Sequence, residues 1–435
     1  MISRRTSTKS LLYAILVPWV RCGVRWFFRR VEIRNRELVP ADKPTILVAN
    51  HQNALLDPVL ISLFTKKQCH WLTRSDVFKK PAVAKILHRL NMLPIFRERD
   101  KVSDISEKNA EIFQVCNERL KKGAMICLFP EGTHRGRKQL ATLKKGTVRL
   151  ISGAMQRGVR DIHIIPVGIE LGDFYSPDTT LLLQFGQPIR VEDYYNSEEI
   201  QQAKNQNDLT RHIWNALLPG MIHIDDDELY DDLIFIQHLI VSVHPNWSLS
   251  KKFEVFQQLV IRLKEEAAQR EEFMRLWSPW IAEARAMQIN PEVNPEECIA
   301  LCAMKFLFLF PLALLGWLYF RPIHALAEWI VSTKIQDTLF YNSIRVSVWT
   351  FATPLYSAIT FFAMLLFMPW ICAAASLGIL IASSIFVKAM VRTWQRLKDL
   401  RSMGIIASKN PDRWKSWLKG RQDAVIWLQS IIKGF

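Results

Sequence analysis

No two of the seven cysteines in this 435-residue chain form a CxxC pair. Cys22, Cys69, Cys116, Cys127, Cys298, Cys302 and Cys372 are scattered through apolar surroundings, and Cys298 and Cys302 have no histidine pair nearby. An odd, dispersed set of this kind excludes a disulfide framework and a zinc site, and it favours a reducing compartment. Charge is missing in two ways. Residues 346–387 are 42 consecutive positions without a formal charge, and residues 37–387 hold 37 basic and 37 acidic residues, so they sum to zero. The net charge of +16 therefore sits at the ends: residues 1–36 carry nine basic residues against one acidic, and 388–435 carry eleven against three. Basic ends beside apolar runs fit an anionic membrane surface and exclude a nucleic-acid footprint. No internal repeat is visible. A hydrophobic content of 49%, with 15 Trp and 24 Phe, excludes a disordered chain, and the length predicts more than one domain.

After the apolar stretch Leu11–Val20 there is no small-residue cleavage site. Arg21, Arg25, Arg29 and Arg30 follow instead, interleaved with Trp26, Phe27 and Phe28. Residues 10–31 read as a retained amphipathic helix on a membrane surface, in preference to a cleaved signal or a span. Residues 37–196 read as an α/β domain. Short apolar runs (Thr45–Ala49, Met125–Phe129, Ile162–Ile169, Leu181–Phe185) alternate with helical patterns such as 103–121, which predicts a mostly parallel sheet flanked by helices. Residues 197–300 predict a helical region. Its Asp225–Asp227 cluster is the kind a helix N-terminus attracts without any metal.

The uncharged run 346–387 corresponds to about 63 Å of helix, twice a bilayer core, and divides at Met368-Pro369-Trp370 into a transmembrane hairpin, 346–367 and 370–387. The run 306–320, within the membrane segments 301–387, ends at Arg321-Pro322 and is short for a lone span; a re-entrant or interfacial pair with 323–332 is an equal alternative. Lys388, Arg392, Arg396, Lys398 and Arg401 then place the basic tail 388–435 on the cytoplasmic side, with the α/β domain on the same face. Trp414, Trp417, Val425, Leu428, Ile432 and Phe435 predict an amphipathic helix in that tail, on the membrane surface.

Four segments place polar residues where an apolar strand ends. In Asn50-His51-Gln52-Asn53-Ala54-Leu55-Leu56-Asp57-Pro58, a strand delivers His51 to its carboxyl edge, where ligands bind in α/β sheets, and Asp57 follows in the first turns of a helix. A histidine with a nearby carboxylate is a general-base pair, the acid fixing the tautomer. Pro94-Ile95-Phe96-Arg97-Glu98-Arg99 puts Arg97 and Arg99 on opposite faces of an extended chain, Arg99 reading as a surface residue. Phe129-Pro130-Glu131-Gly132-Thr133-His134-Arg135 with Leu143-Lys144-Lys145-Gly146 combines a turn with cations suited to phosphate, so that Arg135 and Lys145 are candidate phosphate or donor contacts, while His134 reads as a partner within the turn. Ile164-Ile165-Pro166-Val167-Gly168-Ile169-Glu170 is a strand interrupted by proline, as at an edge or a bend, and the neighbouring His163 reads as a packing residue.

The order of these blocks resembles the glycerolipid acyltransferase superfamily, which includes bacterial lysophosphatidate acyltransferases. The resemblance covers residues 44–190, a third of the chain. Five residues separate His51 from Asp57, against four in the usual motif. That spacing, His134, the Leu-Lys-Lys-Gly run and, weakly, Asp337–Arg345 (DTLFYNSIR) are more similar to the fungal-type glycerol-3-phosphate/dihydroxyacetone phosphate acyltransferases and their bacterial relatives. The resemblance implies an integral membrane O-acyltransferase of phospholipid synthesis, in the inner membrane if bacterial. It would move a fatty acyl group from acyl-CoA or acyl-carrier protein to glycerol 3-phosphate, with lysophosphatidate as the second choice of acceptor. His51 would be the general base and Asp57 its orienting partner. Arg97 would grip the acceptor phosphate in a pocket shaped by Glu131, Gly132 and Thr133, and Pro166 would lie on the acyl-donor side. No metal or other cofactor is implied. The non-enzyme alternative is a membrane-anchored lipid-binding protein on the same fold.

Overall fold

The structure is a computed structural model that describes residues 11–97, 100 and 103–433; Arg99 and Phe435 lie outside the described residues. The chain forms two compact units. One is Met1–His223 with Lys334–Val346, and the other is Ile224–Thr333 with Ser347–Phe435.

The first unit contains α1 (Leu11–Phe27), β1 (Arg30–Arg34), β2 (Thr45–Ala49), α2 (Leu56–Phe64), β3 (Cys69–Arg74), α3 (Pro81–Arg89), β4 (Leu93–Ile95), α4 (Ile105–Lys121), β5 (Met125–Leu128), α5 (Gly146–Gln156), β6 (His163–Leu171), β7 (Thr180–Phe185), β8 (Ile189–Arg190) and α6 (Ala203–Leu217). The sheet runs β1-β7-β6-β2-β5-β3-β4, with β8 beside β6. Strands β6, β2, β5, β3 and β4 are parallel, whereas β6 pairs antiparallel with β7 and β8. This is the expected mostly parallel sheet. Its strands are buried on both faces: in β2, Leu47 and Ala49 join the core beneath α1 and α2, while Ile46 and Val48 join the core beneath α4, α5 and α6. Because β2, β5, β3 and β4 share one direction, the residues that follow them all emerge at one carboxyl edge.

The first unit extends past 196. Leu209, Ile213 and Leu217, spaced for one face of α6, are buried in its second core. The backbone of Gly220 lies so close to Gly168 that a Cβ on Gly168 would stand 1.8 Å from the Gly220 carbonyl oxygen. Pro166 is on interior strand β6, not at an edge: it sits between the residues that pair with β8 and those that pair with β7, where the strand changes partner. Helix α1 anchors Tyr13 to the Ser62 carbonyl and Arg21 to the Leu63 carbonyl on α2, and its outer face exposes Leu11, Ile15 and Trp19.

The second unit contains α7 (Tyr230–Val243), α8 (Leu249–Glu265), α9 (Ala267–Ala286) and α13 (Pro411–Lys433), and it also holds most of α10 (Ile299–Lys334), α11 (Tyr341–Met364) and α12 (Trp370–Lys409). Three helical stretches, Ile299–Lys334, Thr338–Met364 and Trp370–Lys409, are long and apolar enough to cross a membrane. The hairpin break expected near Pro369 is present, but the helix that carries the run 306–320 does not end at Arg321-Pro322. Helix α10 continues through Pro311 and Pro322, and Arg321 lies over the Trp317 ring at 5.0 Å. A proline removes one backbone bond and bends a helix, but it ends the helix only when nothing else holds the following turn.

The tail also differs from expectation. On α13, Trp417 and Leu428 are buried rather than offered to lipid. Trp280 of α9 donates to the Trp417 carbonyl at 3.1 Å, and Trp277 and Phe273 meet Trp427. Of the aromatic residues that suggested a membrane-surface helix, Trp417 is taken up by α9, where it stacks on Trp280. Asp225 and Asp226 are paired with Lys264 and Arg270, and no metal-binding cluster occurs among the described residues.

Candidate active site

Asn50 fixes the end of β2. Its side chain accepts from the Ile169 N–H at 2.7 Å and donates to the Ile169 carbonyl at 3.0 Å, clamping the strand end to β6. The next residue is His51. Its Nδ1 lies 2.9 Å from Asp57 Oδ2, and the same oxygen accepts the Gln52 and Asn53 N–H groups at 2.8 Å each. The residues between His51 and Asp57 fold into a turn that brings Asp57, in the first turn of α2, back beneath the loop; the Asp57 N–H closes that turn on the Asn53 carbonyl. An oxygen that accepts two amide hydrogens is an acceptor toward the ring as well, so the imidazole proton belongs on Nδ1 and Nε2 carries the free lone pair. Asp57 is fully buried, and its Oδ1 has no partner among the described residues. One face of the His51 ring stacks on Phe129 at 3.9 Å, and Phe129 stacks in turn on Trp71.

Glu131 stands after β5, the strand next to β2. Its carboxylate accepts the His51 N–H at 2.7 Å and the Ala141 N–H at 2.8 Å. Burial pushes its pKa up to about 7, against the opposing pull of those two amide bonds. Expected to shape a phosphate pocket, Glu131 here spends both oxygens on backbone and acts on the His51 loop. Gly132 has φ 72°, the left-handed region that favours glycine, and Thr133 Oγ1 donates to the His134 carbonyl. Arg135 and Lys145 are exposed, without a side-chain bond among the described residues. The structure brings His51, Asp57, Glu131 and His134 together by bonds or ring contacts, with Thr133 bonded to the His134 carbonyl and Gly132 in the same turn. It records no contact from Pro166 to them: Pro166 is buried in the sheet, its carbonyl accepting from the Gly186 N–H. His163 bonds Asp161 at the opposite, amino end of the strand.

Arg97 follows β4 at the far end of the same carboxyl edge. Its Nη2 is 3.0 Å from Asp100 Oδ1 and 3.9 Å from Asp76, and its buried Nε has no partner among the described residues. Asp100 also accepts from the Arg97 N–H and from Ser75. Arg74, the last residue of β3, donates to Asp76 through Nε at 2.6 Å. Sequence reasoning missed Asn50, the stacked Phe129 and Trp71, Gln52 (buried, neither amide atom partnered among the described residues) and the Arg74–Asp76 pair. For Arg74, its position at the end of a strand, two residues before Asp76, was the available signal.

An α/β domain with a histidine–carboxylate pair at the carboxyl edge of a parallel sheet is a class of site suited to general-base chemistry. Residues 30–170 match the protein-family model described as "Acyltransferase". The chain is 30% identical over 151 residues to the chloroplastic 1-acyl-sn-glycerol-3-phosphate acyltransferase LPAT1 of Arabidopsis thaliana, covering 34% of this chain and 39% of that protein. It is 25% identical over 158 residues to an uncharacterized acyltransferase of Schizosaccharomyces pombe, covering 34% and 23%. The chain thus spans two fifths or less of these relatives. Among solved structures, the 1-acyl-sn-glycerophosphate acyltransferase PlsC of Thermotoga maritima matches at 23% identity and a TM-score of 0.34, over 47% of this chain and 78% of that one. At that score the likeness decides neither fold nor function.

Proposed function

We propose that this protein is a membrane-associated O-acyltransferase that moves a fatty acyl group from a thioester to the free hydroxyl of a glycerol-phosphate acceptor. The observation that carries the reading is the His51–Asp57 pair, buried on the Asp side, with Nε2 as its free base. Nε2 takes the acceptor's hydroxyl proton as the oxygen attacks the thioester carbonyl. The new C–O bond forms, the C–S bond of the tetrahedral adduct breaks, and the imidazolium returns its proton to the departing thiolate. Asp57 holds the ring and balances the transient charge. No cofactor enters these steps. Arg97, with Gly132, Thr133, Arg135 and Lys145 as further candidates, serves the acceptor phosphate; Pro166 remains assigned to the donor side.

Lysophosphatidate is the acceptor that the Arabidopsis relative's name favours. Glycerol 3-phosphate is the second reading, supported by the five-residue spacing between His51 and Asp57. The test is product analysis of the purified full-length protein with both labelled acceptors and with acyl-CoA and acyl-carrier-protein donors, beside His51→Ala. We expect transfer that His51→Ala lowers by about 10³-fold, within the range for a lost general base. Equal turnover in the two proteins defeats the general-base assignment, and binding of lipid without transfer by the wild type favours the lipid-binding alternative.

A further inference from the structure

The segment Lys334–Val346 joins the end of one apolar helix to the first turns of the next, yet it belongs to the α/β unit, about two hundred residues downstream of the motif it touches. Asp337 Oδ2 is 3.0 Å from His134 Nε2, while Asp337 Oδ1 accepts the Leu339 N–H and so starts the short helical turn Thr338–Phe340. Phe340 meets the His134 ring edge-on at 5.7 Å. The His134 ring in turn stands edge-on to His51, with centroids 5.4 Å apart. His51 is therefore bordered by Phe129 on one face, Asp57 at Nδ1 and the His134 ring in a T-shaped contact, and the last of these is itself held from Lys334–Val346.

The rest of the segment is fastened as tightly. Asn342, fully buried, donates to the carbonyls of Phe174 and Ser176, and Arg345 donates to the Tyr175 carbonyl. Leu339 covers Gly136, where a Cβ would stand 2.4 Å from Leu339 Cδ2; Gly136 has φ 61°, and its N–H bonds the Gln52 carbonyl, one residue past His51. A side chain at 136 is excluded by both backbone and neighbour, so the loop and the distant segment fit one another. Packing alone would need only Leu339 and Asn342. A carboxylate aimed at an imidazole that borders the proposed base is a more specific arrangement.

We propose that Lys334–Val346 is a working part of the acyl-transfer site, and that Asp337 is a positioning residue acting through His134 to hold the wall against which His51 receives the acceptor hydroxyl. This rests on the acyltransferase reading above. Asp337 touches neither substrate nor His51; it sets the orientation of the ring that does border His51. Its loss should disturb the rate of the chemical step more than the binding of either substrate.

The test uses the full-length protein in detergent with acyl-CoA and whichever glycerol-phosphate acceptor it uses. Asp337→Ala should lower kcat on the order of tenfold to a hundredfold, with both KM values and the thermal midpoint close to wild type, and Asp337→Glu should restore part of the rate. Asp337→Asn, which keeps an acceptor for the Leu339 N–H, guards against misfolding and should also be slow. Wild-type kcat in Asp337→Ala overturns the proposal, as does a loss confined to KM, or one that merely follows the folded fraction in all three variants. If the wild type transfers acyl groups and His51→Ala does not, an unaffected Asp337→Ala defeats this inference alone. If the wild type acylates no acceptor, the reading of the site falls with it.

Discussion

The two ends of one sheet edge are built on opposite terms. After β2 and β5, His51, Asp57 and Glu131 form a network in which Asp57 and Glu131 are buried and their carboxylates accept from backbone N–H groups and from the His51 ring. After β3 and β4, Arg74, Asp76, Arg97 and Asp100 form an ion cluster in which Arg74 is about half exposed and Asp76 about a third, while Arg97 and Asp100 lie deeper, at 22% and 8%. The Arg74 guanidinium, against some burial, holds the Asp76 carboxyl below the ordinary carboxylate range. A reaction centre gains from the first design, because an oriented base must not reorganise during the chemical step. A binding site for a mobile anion gains from the second. Carboxylates paired with a guanidinium near water are exchangeable, and a phosphate offers the same bidentate geometry with more charge.

The contrast is broken most sharply through Glu131. Its pKa near 7 in the fold lies above the ordinary value of 4.5, so the folded state binds the proton more tightly than the unfolded one. Stability from this group is complete below about pH 4.5 and is lost as pH rises through 7, a swing of about 3 kcal/mol. Glu131→Gln should remove that part of the pH dependence. The wild-type unfolding midpoint, followed by tryptophan fluorescence, should fall relative to that of the variant between pH 5 and 7.5. A constant gap would mean that the carboxylate is not buried as the structure has it.

Asp57→Asn comes next, and its outcome depends on a detail of the buried end. All three donors converge on Oδ2 while Oδ1 is unpartnered among the described residues. An asparagine can therefore put its carbonyl oxygen in the Oδ2 position, keeping the turn and the tautomer and losing only the charge. The expected loss in kcat is about tenfold to a hundredfold, or about 1.4–2.8 kcal/mol of transition-state stabilisation, with a fold as stable as wild type. Asp57→Ala, which abandons all three donors, should be worse in both respects. Equal kcat values for the two variants would show that charge balance, not orientation, is the whole role of Asp57.

The same contrast governs what the sequence could disclose. His51, Asp57, Arg97 and Glu131 were legible as site candidates because each follows a strand-length apolar run, and parallel strands deliver such residues to one edge. The sheet was legible for the same reason. What each carboxylate bonds was not, because the partners of Glu131 are backbone groups placed by folding, and Asn50 finds Ile169 across 119 residues. Asp337 is farther still. In the apolar region the charge-free run and the break at Pro369 were readable, but whether Pro322 ends a helix depends on packing, which no local pattern contains. The tail was misjudged on a related ground: an aromatic stripe among lysines has the same spacing whether it meets lipid or, as on α13, other tryptophans.

The ion-cluster end of the edge supplies the smallest effect and the most discriminating one. Arg97 is tied to Asp100 and lies near Asp76, so an incoming phosphate must displace carboxylates to reach it. Removing the guanidinium leaves the His51 network intact, since none of its bonds pass through Arg97. Arg97→Ala should therefore raise the acceptor KM by about tenfold, about 1.4 kcal/mol, with kcat within a few-fold of wild type. Arg97→Lys should recover only part of it, because a lysine offers a point charge where a planar fork is needed. A phosphate-free acceptor analogue gives the complementary measurement, since its KM should be the same in wild type and variant. If Arg97→Ala instead lowers kcat with both acceptors alike, the two ends of the edge are coupled through the reaction, and the division into a closed centre and an exchangeable binding end is wrong.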